Sequence, residues 1–162
     1  MPDTEKTETE RIIELARGIP FGWLTTVNGE GRLVARPMSP REVTDAGELW
    51  FFAERDSRDA SEIAANPKVG MTLNSGSTFV SFAGTAELVD DPAKKDELWD
   101  AAVEAWLPDG PQSPNAVLIK VTADSGEYWD TPGGRIATLI SFVKAKVTGE
   151  RYDGGENETV TL

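Results

Sequence analysis

Apolar and polar positions alternate with a period of two along much of the chain, and in four places the period lengthens to that of a helix. The alternating stretches are FGWLTTV (Phe21 to Val27), RLVARPM (Arg32 to Met38), Val69 to Leu73, residues 78–89, Val117 to Ala123 and Glu127 to Asp130. Arg32, Val34, Arg36 and Met38 fall on one face of their strand, with Leu33 and Ala35 on the other. In the longest stretch Val80, Phe82, Ala86 and Leu88 share one face, Ser81, Thr85 and Glu87 the other, and Gly84 marks a bend. Leu49-Trp50-Phe51-Phe52 is a short apolar and aromatic run and reads as a buried strand. Asn28-Gly29-Glu30-Gly31 is a hairpin turn, and Pro37, which lacks an N–H, places its strand at an edge or on a bulge.

Helical spacing begins at Thr7, whose separation from Glu10 is that of a capping box, with Ile12, Leu15 and Ala16 as the apolar stripe and Gly18 as the stop. A second helix is capped by Asp56 or Ser57, turns Ile63 and Ala64 inward, and ends at Asn66-Pro67. A third opens at Asp91-Pro92 and lines its inner side with Leu98, Trp99, Ala102, Val103 and Trp106; these tryptophans read as packing, not as a ligand platform. A last helix follows Thr131-Pro132-Gly133-Gly134, with Ile136, Leu139, Ile140, Val143 and Val147 inside, and the polar tail is a candidate edge strand. Six or seven strands in hairpin order with three or four peripheral helices predict one mainly β domain over residues 1–162, a small antiparallel barrel.

Composition changes this picture mainly by what it lacks. Without cysteine there is no disulfide, thiolate nucleophile or thiolate metal site. Without histidine there is no Ser-His or Cys-His dyad and no imidazole ligand. Demanding chemistry would therefore come from a bound cofactor, or from carboxylates, Lys or Tyr. The net charge of −12 argues against nucleic acid or an anionic membrane as partner. No stretch is long and apolar enough to cross a bilayer and the start has no signal-peptide core, so a cytoplasmic location is expected. Five of the nine arginines (Arg32, Arg36, Arg41, Arg55 and Arg58) lie between positions 32 and 58, among five acids. A strand that delivers its chain to a helix N-terminus beside arginines is an anion site in outline; a charged loop on a solvated face fits the same pattern.

The ordered series Leu24-Thr25-Thr26, Gly31-Arg32, Ala35-Arg36-Pro37-Met38, Leu49-Trp50-Phe51-Phe52, Asp56-Ser57-Arg58, Glu62-Ile63 and Asn66-Pro67 resembles one known family. It is the general stress protein branch of the pyridoxamine 5′-phosphate oxidase-like, FMN-binding split-barrel family. The likeness continues through Trp106-Leu107-Pro108-Asp109-Gly110 and Glu127-Tyr128-Trp129-Asp130 to Gly155-Glu156-Asn157. The resemblance implies a six-stranded split β-barrel that forms a homodimer, with FMN, or else FAD or a deazaflavin, in grooves between subunits. It places Arg36-Pro37-Met38 and Phe51-Phe52-Ala53 along the flavin, Ser57 and Arg58 at its phosphate, and Trp129 and Arg135 as contributions from the second subunit.

Two residues depart from the family pattern. Ala53 stands where relatives usually carry Thr, and Asp59, read as the third helical residue, stands where they carry Lys. A carboxylate suits a helix N-terminus but opposes a phosphate. Pyridoxine phosphate oxidation is not implied, because its histidine-containing C-terminal motif is missing. The expectations are a flavin-dependent oxidoreductase acting on an unidentified small substrate or, from another class, a cofactor-free dimeric stress or interaction protein. Arg36→Ala should weaken flavin binding without unfolding the chain, unless Arg36 forms a buried ion pair inside the barrel.

Overall fold

The computed structural model describes residues 6–131 and 156–162. The expected last helix and Arg135 lie outside the described residues. Helix α1 (Glu8–Arg17) starts at the foreseen capping box, Thr7 accepting from the Glu10 amide while the Glu10 side chain accepts from the Thr7 amide. Strands β1 (Gly22–Val27) and β2 (Leu33–Met38) form the first hairpin, closed by Gly31 at a φ of 76° that favours glycine. Next come β3 (Glu42–Val43), β4 (Glu48–Glu54), helix α2 (Arg58–Ala65), β5 (Lys68–Ser75) and β6 (Thr78–Val89). Short helices α3 (Pro92–Leu98) and α4 (Ala101–Glu104) lead to β7 (Ala116–Asp130), and β8 (Glu156–Thr161) ends the chain.

All eight described strands belong to one antiparallel sheet in the order β2-β1-β5-β6-β7-β4-β3, with β8 paired to β7. The molecule is a mainly β split barrel with flanking helices. Strand β2 lies at the edge of the sheet, where Pro37 costs no ladder bond. The bend at Gly84 is real: Ala83 pairs with Ser125 but Gly84 pairs with Ala123, so Asp124 is the extra residue of a bulge. A Cβ on Gly84 would come within 2.1 Å of the Thr122 carbonyl oxygen, so only glycine fits.

The expectations are corrected in several places. Residues 116–130 form one strand of 15 residues, not two, because Asp124 is absorbed as the bulge. The third helix is broken in two, since the Asp100 side chain accepts from the Val103 amide and starts a new helix. In consequence Ala102 and Trp106 are exposed, while Val103 and Leu107 are buried. On α2 it is Ala60, not Ala64, that joins Ile63 on the inner side.

The core has two parts. Leu49, Phe51 and Ala53 face the barrel interior with Leu24, Met71, Phe82 and Ile119. Trp50 and Phe52 point the other way and pack with Val103, Leu107 and Leu118; Phe52 also meets the edge of the Trp99 ring at 5.2 Å. This double burial explains why β4 has no polar alternation.

Candidate functional site

The candidate site is built where β4 hands the chain to α2. The Ser57 amide donates to the Glu54 carbonyl at 3.0 Å and closes the turn. Ser57, not Asp56, is the cap: its hydroxyl accepts from the Ala60 amide at 3.3 Å, while the Asp56 amide is held by the Asn115 side chain. The amides of Arg58 and Asp59 make no hydrogen bond among the described residues, leaving two donors at the positive end of the helix dipole.

Four of the five clustered arginines are already matched with acids. Arg32 pairs with Glu30, Arg36 with Glu62, Arg41 with Asp100 and Arg55 with Asp90. Arg58, exposed at the first helical position, makes no ion pair among the described residues. Asp59 follows it as the second helical residue, not the third as read from the sequence. It is only 9% exposed and has no hydrogen-bond or ion-pair partner among the described residues.

Arg36 points into the open end of the barrel. Its Nη1 donates to Thr26 Oγ1 at 2.9 Å and its Nη2 to Glu62 Oε2 at 2.8 Å; Thr26 Oγ1 in turn donates to Glu62 Oε2 at 2.5 Å. The Arg36 and Glu62 side chains are 19% and 8% exposed, and Thr26 is fully buried. Burial by itself would raise the Glu62 pKa. The hydrogen bonds from Thr26 and Arg36, with the charges of Arg36 and Arg58, outweigh burial and hold the carboxyl below its ordinary value. The buried ion pair is therefore present. Sequence reading left Glu62 and Thr26 without a role, although positions 59, 60, 62 and 63 have the spacing of one buried helical stripe.

The other expected site residues are dispersed. Phe51 and Ala53 fill the barrel interior and Phe52 the second cluster, so none of the three turns its side chain to a groove. What β4 offers is backbone, because β3 pairs only with Leu49 and Trp50 and leaves residues 51–54 without a strand on that side. Met38 shares the inward face of β2 with Arg36, whereas Pro37 is exposed on the outer face. Trp129 is exposed on β7 opposite Phe79, four strands across the sheet from β2.

Part of the outer face, away from the charged rows of Lys68 with Glu48 and of Glu87 with Lys120, carries little charge. One row across it reads Pro37, Trp23, Thr72, Ser81, Glu127 and Thr159. The neighbouring rows read Ala35, Thr25, Gly70, Ala83, Ser125 and Thr161, and Asn74, Phe79, Trp129 and Asn157. Glu127 is the one charged residue in these rows, and Trp23, Phe79 and Trp129 stand exposed among them.

A split barrel with an open, cation-bearing helix N-terminus beside its uncovered strand edge defines the class. The family model of pyridoxamine 5′-phosphate oxidase-like proteins matches residues 7–153, and the chain belongs to that family. Within it, the chain is 31% identical over 117 residues to general stress protein 26 of Bacillus subtilis (strain 168), covering 69% of this chain and 81% of the relative. A crystal structure of a general stress protein 26 from Jannaschia sp. CCS1 superposes with a TM-score of 0.78 at 32% identity, covering 95% of this chain and 98% of that one. The general stress FMN/FAD binding protein of Xanthomonas citri superposes with a TM-score of 0.65 at 27% identity, over 75% of this chain and 87% of its own.

Proposed function

We propose that the chain is a cytoplasmic, homodimeric flavin-binding protein that takes FMN and uses it to oxidise or reduce a small substrate. The observation that carries this reading is Arg58: among the described residues it is the unpaired member of the arginine cluster, at the end of α2 where two amides make no hydrogen bond. A phosphate wants that combination of guanidinium fork and oriented N–H groups. The donor set fits the phosphate end of a flavin nucleotide, with Ser57 and Arg58 as its side-chain ligands. The ring would lie along the backbone edge of β4 and against Pro37 and Met38, closed by Trp129 and Arg135 of a second copy. The flavin supplies the two-electron step when bound; the chain binds and orients it. The Xanthomonas citri relative, described as binding FMN/FAD, supports the ligand class. FAD or a deazaflavin shares the same recognition chemistry.

The second copy is supported by the low-charge rows of the outer face. Two chains carrying −12 each repel one another over most of their surface. In the Trp23 and Phe79 rows, where Glu127 is the one charge, self-association would bury apolar area with little repulsion. Trp23→Glu is expected to convert a dimer to a monomer in sedimentation at micromolar concentration. A wild-type chain that sediments only as a monomer would remove the two-chain flavin site.

Purification tests the cofactor. A yellow protein that releases FMN on denaturation is the expected result. A specific observation favours a second reading, a cofactor-free dimeric stress or interaction protein: the acid Asp59, only 9% exposed, is the second residue of α2 and its own amide is one of the two a phosphate would use. A colourless protein that ignores added FMN, FAD and deazaflavin would decide for it.

A further inference from the structure

The Thr26–Arg36–Glu62 cluster does more than satisfy three buried polar groups. Its members come from three elements: Thr26 from β1, Arg36 from β2 and Glu62 from α2. Each of the three bonds each of the others, so the triangle fixes α2 to the first hairpin in rotation as well as in distance. Glu62 lies four residues, about one turn, beyond Arg58, on the same side of the helix. The charge of Arg58 is felt at Glu62, yet no ion pair joins them.

We infer that Glu62 is a positioning residue for the phosphate end of the site: by clamping Arg36 and Thr26 it sets the orientation of α2 and aims the Arg58 and Asp59 amides and the Arg58 guanidinium. Arg36 then acts through the helix and not as a direct phosphate ligand. Its Nη1 and Nη2 donors are already engaged within the barrel. This inference rests on the flavin reading above for its ligand. It also reverses a sign. Were Glu62 only an acid near a phosphate, its removal would relieve repulsion, release Arg36 and strengthen anion binding. As a clamp, its removal lets α2 rotate and weakens that binding.

The experiment titrates wild type, Glu62→Ala, Glu62→Gln and Thr26→Val with FMN and with riboflavin, which lacks the phosphate. Glu62→Ala is expected to lower FMN affinity about tenfold or more, with riboflavin within about twofold. Glu62→Gln, which keeps an acceptor for Thr26 and Arg36, should return FMN affinity to within about threefold of wild type. A general loss of stability would move both ligands together. Stronger FMN binding in Glu62→Ala, or an unchanged FMN-to-riboflavin ratio, overturns the inference. If Glu62→Ala does not fold, Thr26→Val gives the same reading without changing charge: a fall in the ratio of about threefold or more upholds the clamp, and no change overturns it. If wild type binds no flavin, the flavin reading falls and the probe becomes inorganic phosphate, followed through the Arg58 and Asp59 amide resonances. Shifts seen in wild type and lost in Glu62→Ala uphold the clamp. Equal shifts in both proteins, or none in wild type, overturn it.

Discussion

Two ion-pair clusters flank the connection from β4 to α2, and they share a composition but not an environment. On the inner side, Arg36 meets Glu62 with exposures of 19% and 8%. On the outer side, Arg55 meets Asp90 with exposures of 45% and 52%, and Lys95 reaches the same carboxylate at 2.8 Å. In both places cations depress a carboxyl pKa. For Glu62 burial opposes them as the largest single influence; for Asp90 the largest is the hydrogen bond from Lys95. The lesson is that distance alone does not rank an ion pair: the inner one cannot lose either partner without stranding a charge, whereas in the outer one water replaces Arg55 and only Lys95, 4% exposed, depends on the shared carboxylate. Between them stands Arg58, with no ion pair among the described residues, and that difference is why it is proposed as a ligand.

The largest effect should come from breaking the inner pair. Arg36→Ala leaves Glu62 and Thr26 buried without their donor and is expected to destabilise the chain by about 3–5 kcal/mol in urea unfolding. A loss below about 1 kcal/mol would mean that water reaches Glu62 and would erase the contrast. Of the two sequence-based expectations for Arg36→Ala, this follows the buried ion pair and not the weakened flavin binding with the fold spared.

Acid should expose the same difference more gradually. The Glu62 pKa is depressed on folding, so its contribution is present above the unfolded carboxyl pKa of about 4.3 and is lost as pH falls through the folded value. The stability gap between wild type and Glu62→Gln should therefore narrow as pH drops below about 4. A gap that stays constant from neutral pH into acid would show that the charge on Glu62 does not matter.

Asp59→Asn sharpens the comparison from the side of Arg58. It removes a buried carboxylate from the α2 N-terminus at constant size, which a lysine at this buried position would not do. FMN affinity should rise about fivefold to tenfold and riboflavin affinity hardly at all. Equal gains for both ligands in a fluorescence titration would place Asp59 away from the phosphate. The smallest effect is expected for Arg55→Ala, whose exposed pair should leave both melting temperature and FMN affinity close to wild type.

The barrel was legible because its signals are local. Asn28 to Gly31 names its own turn, Gly84 its own bulge, and Pro37 its own edge. The site was legible only in outline. The five arginines looked balanced by five acids within residues 32–58, but Glu30, Glu62, Asp90 and Asp100, which pair four of them, all lie outside that segment. Charge matching across a barrel depends on which strands meet, and no residue pattern carries that. Phe51 and Phe52 show a similar limit: an apolar run announces burial without saying in which of two cores. Asp100 was a missed local signal, a helix cap inside what read as one continuous amphipathic stretch.

Pro37 has a consequence beyond the strand it marks. A barrel that does not close presents free edges, and a free edge is a template on which another chain can extend the sheet without limit. Along β2 the inward-facing residues are tied down through Arg36, while Pro37 removes one of the donors an added strand would need. At the other end the sheet stops at a strand of two residues, too short to recruit a neighbour. Association with the proposed second copy would thereby be directed from edges to faces: contact through the flat side would end with two molecules, whereas growth along an edge would end in fibres.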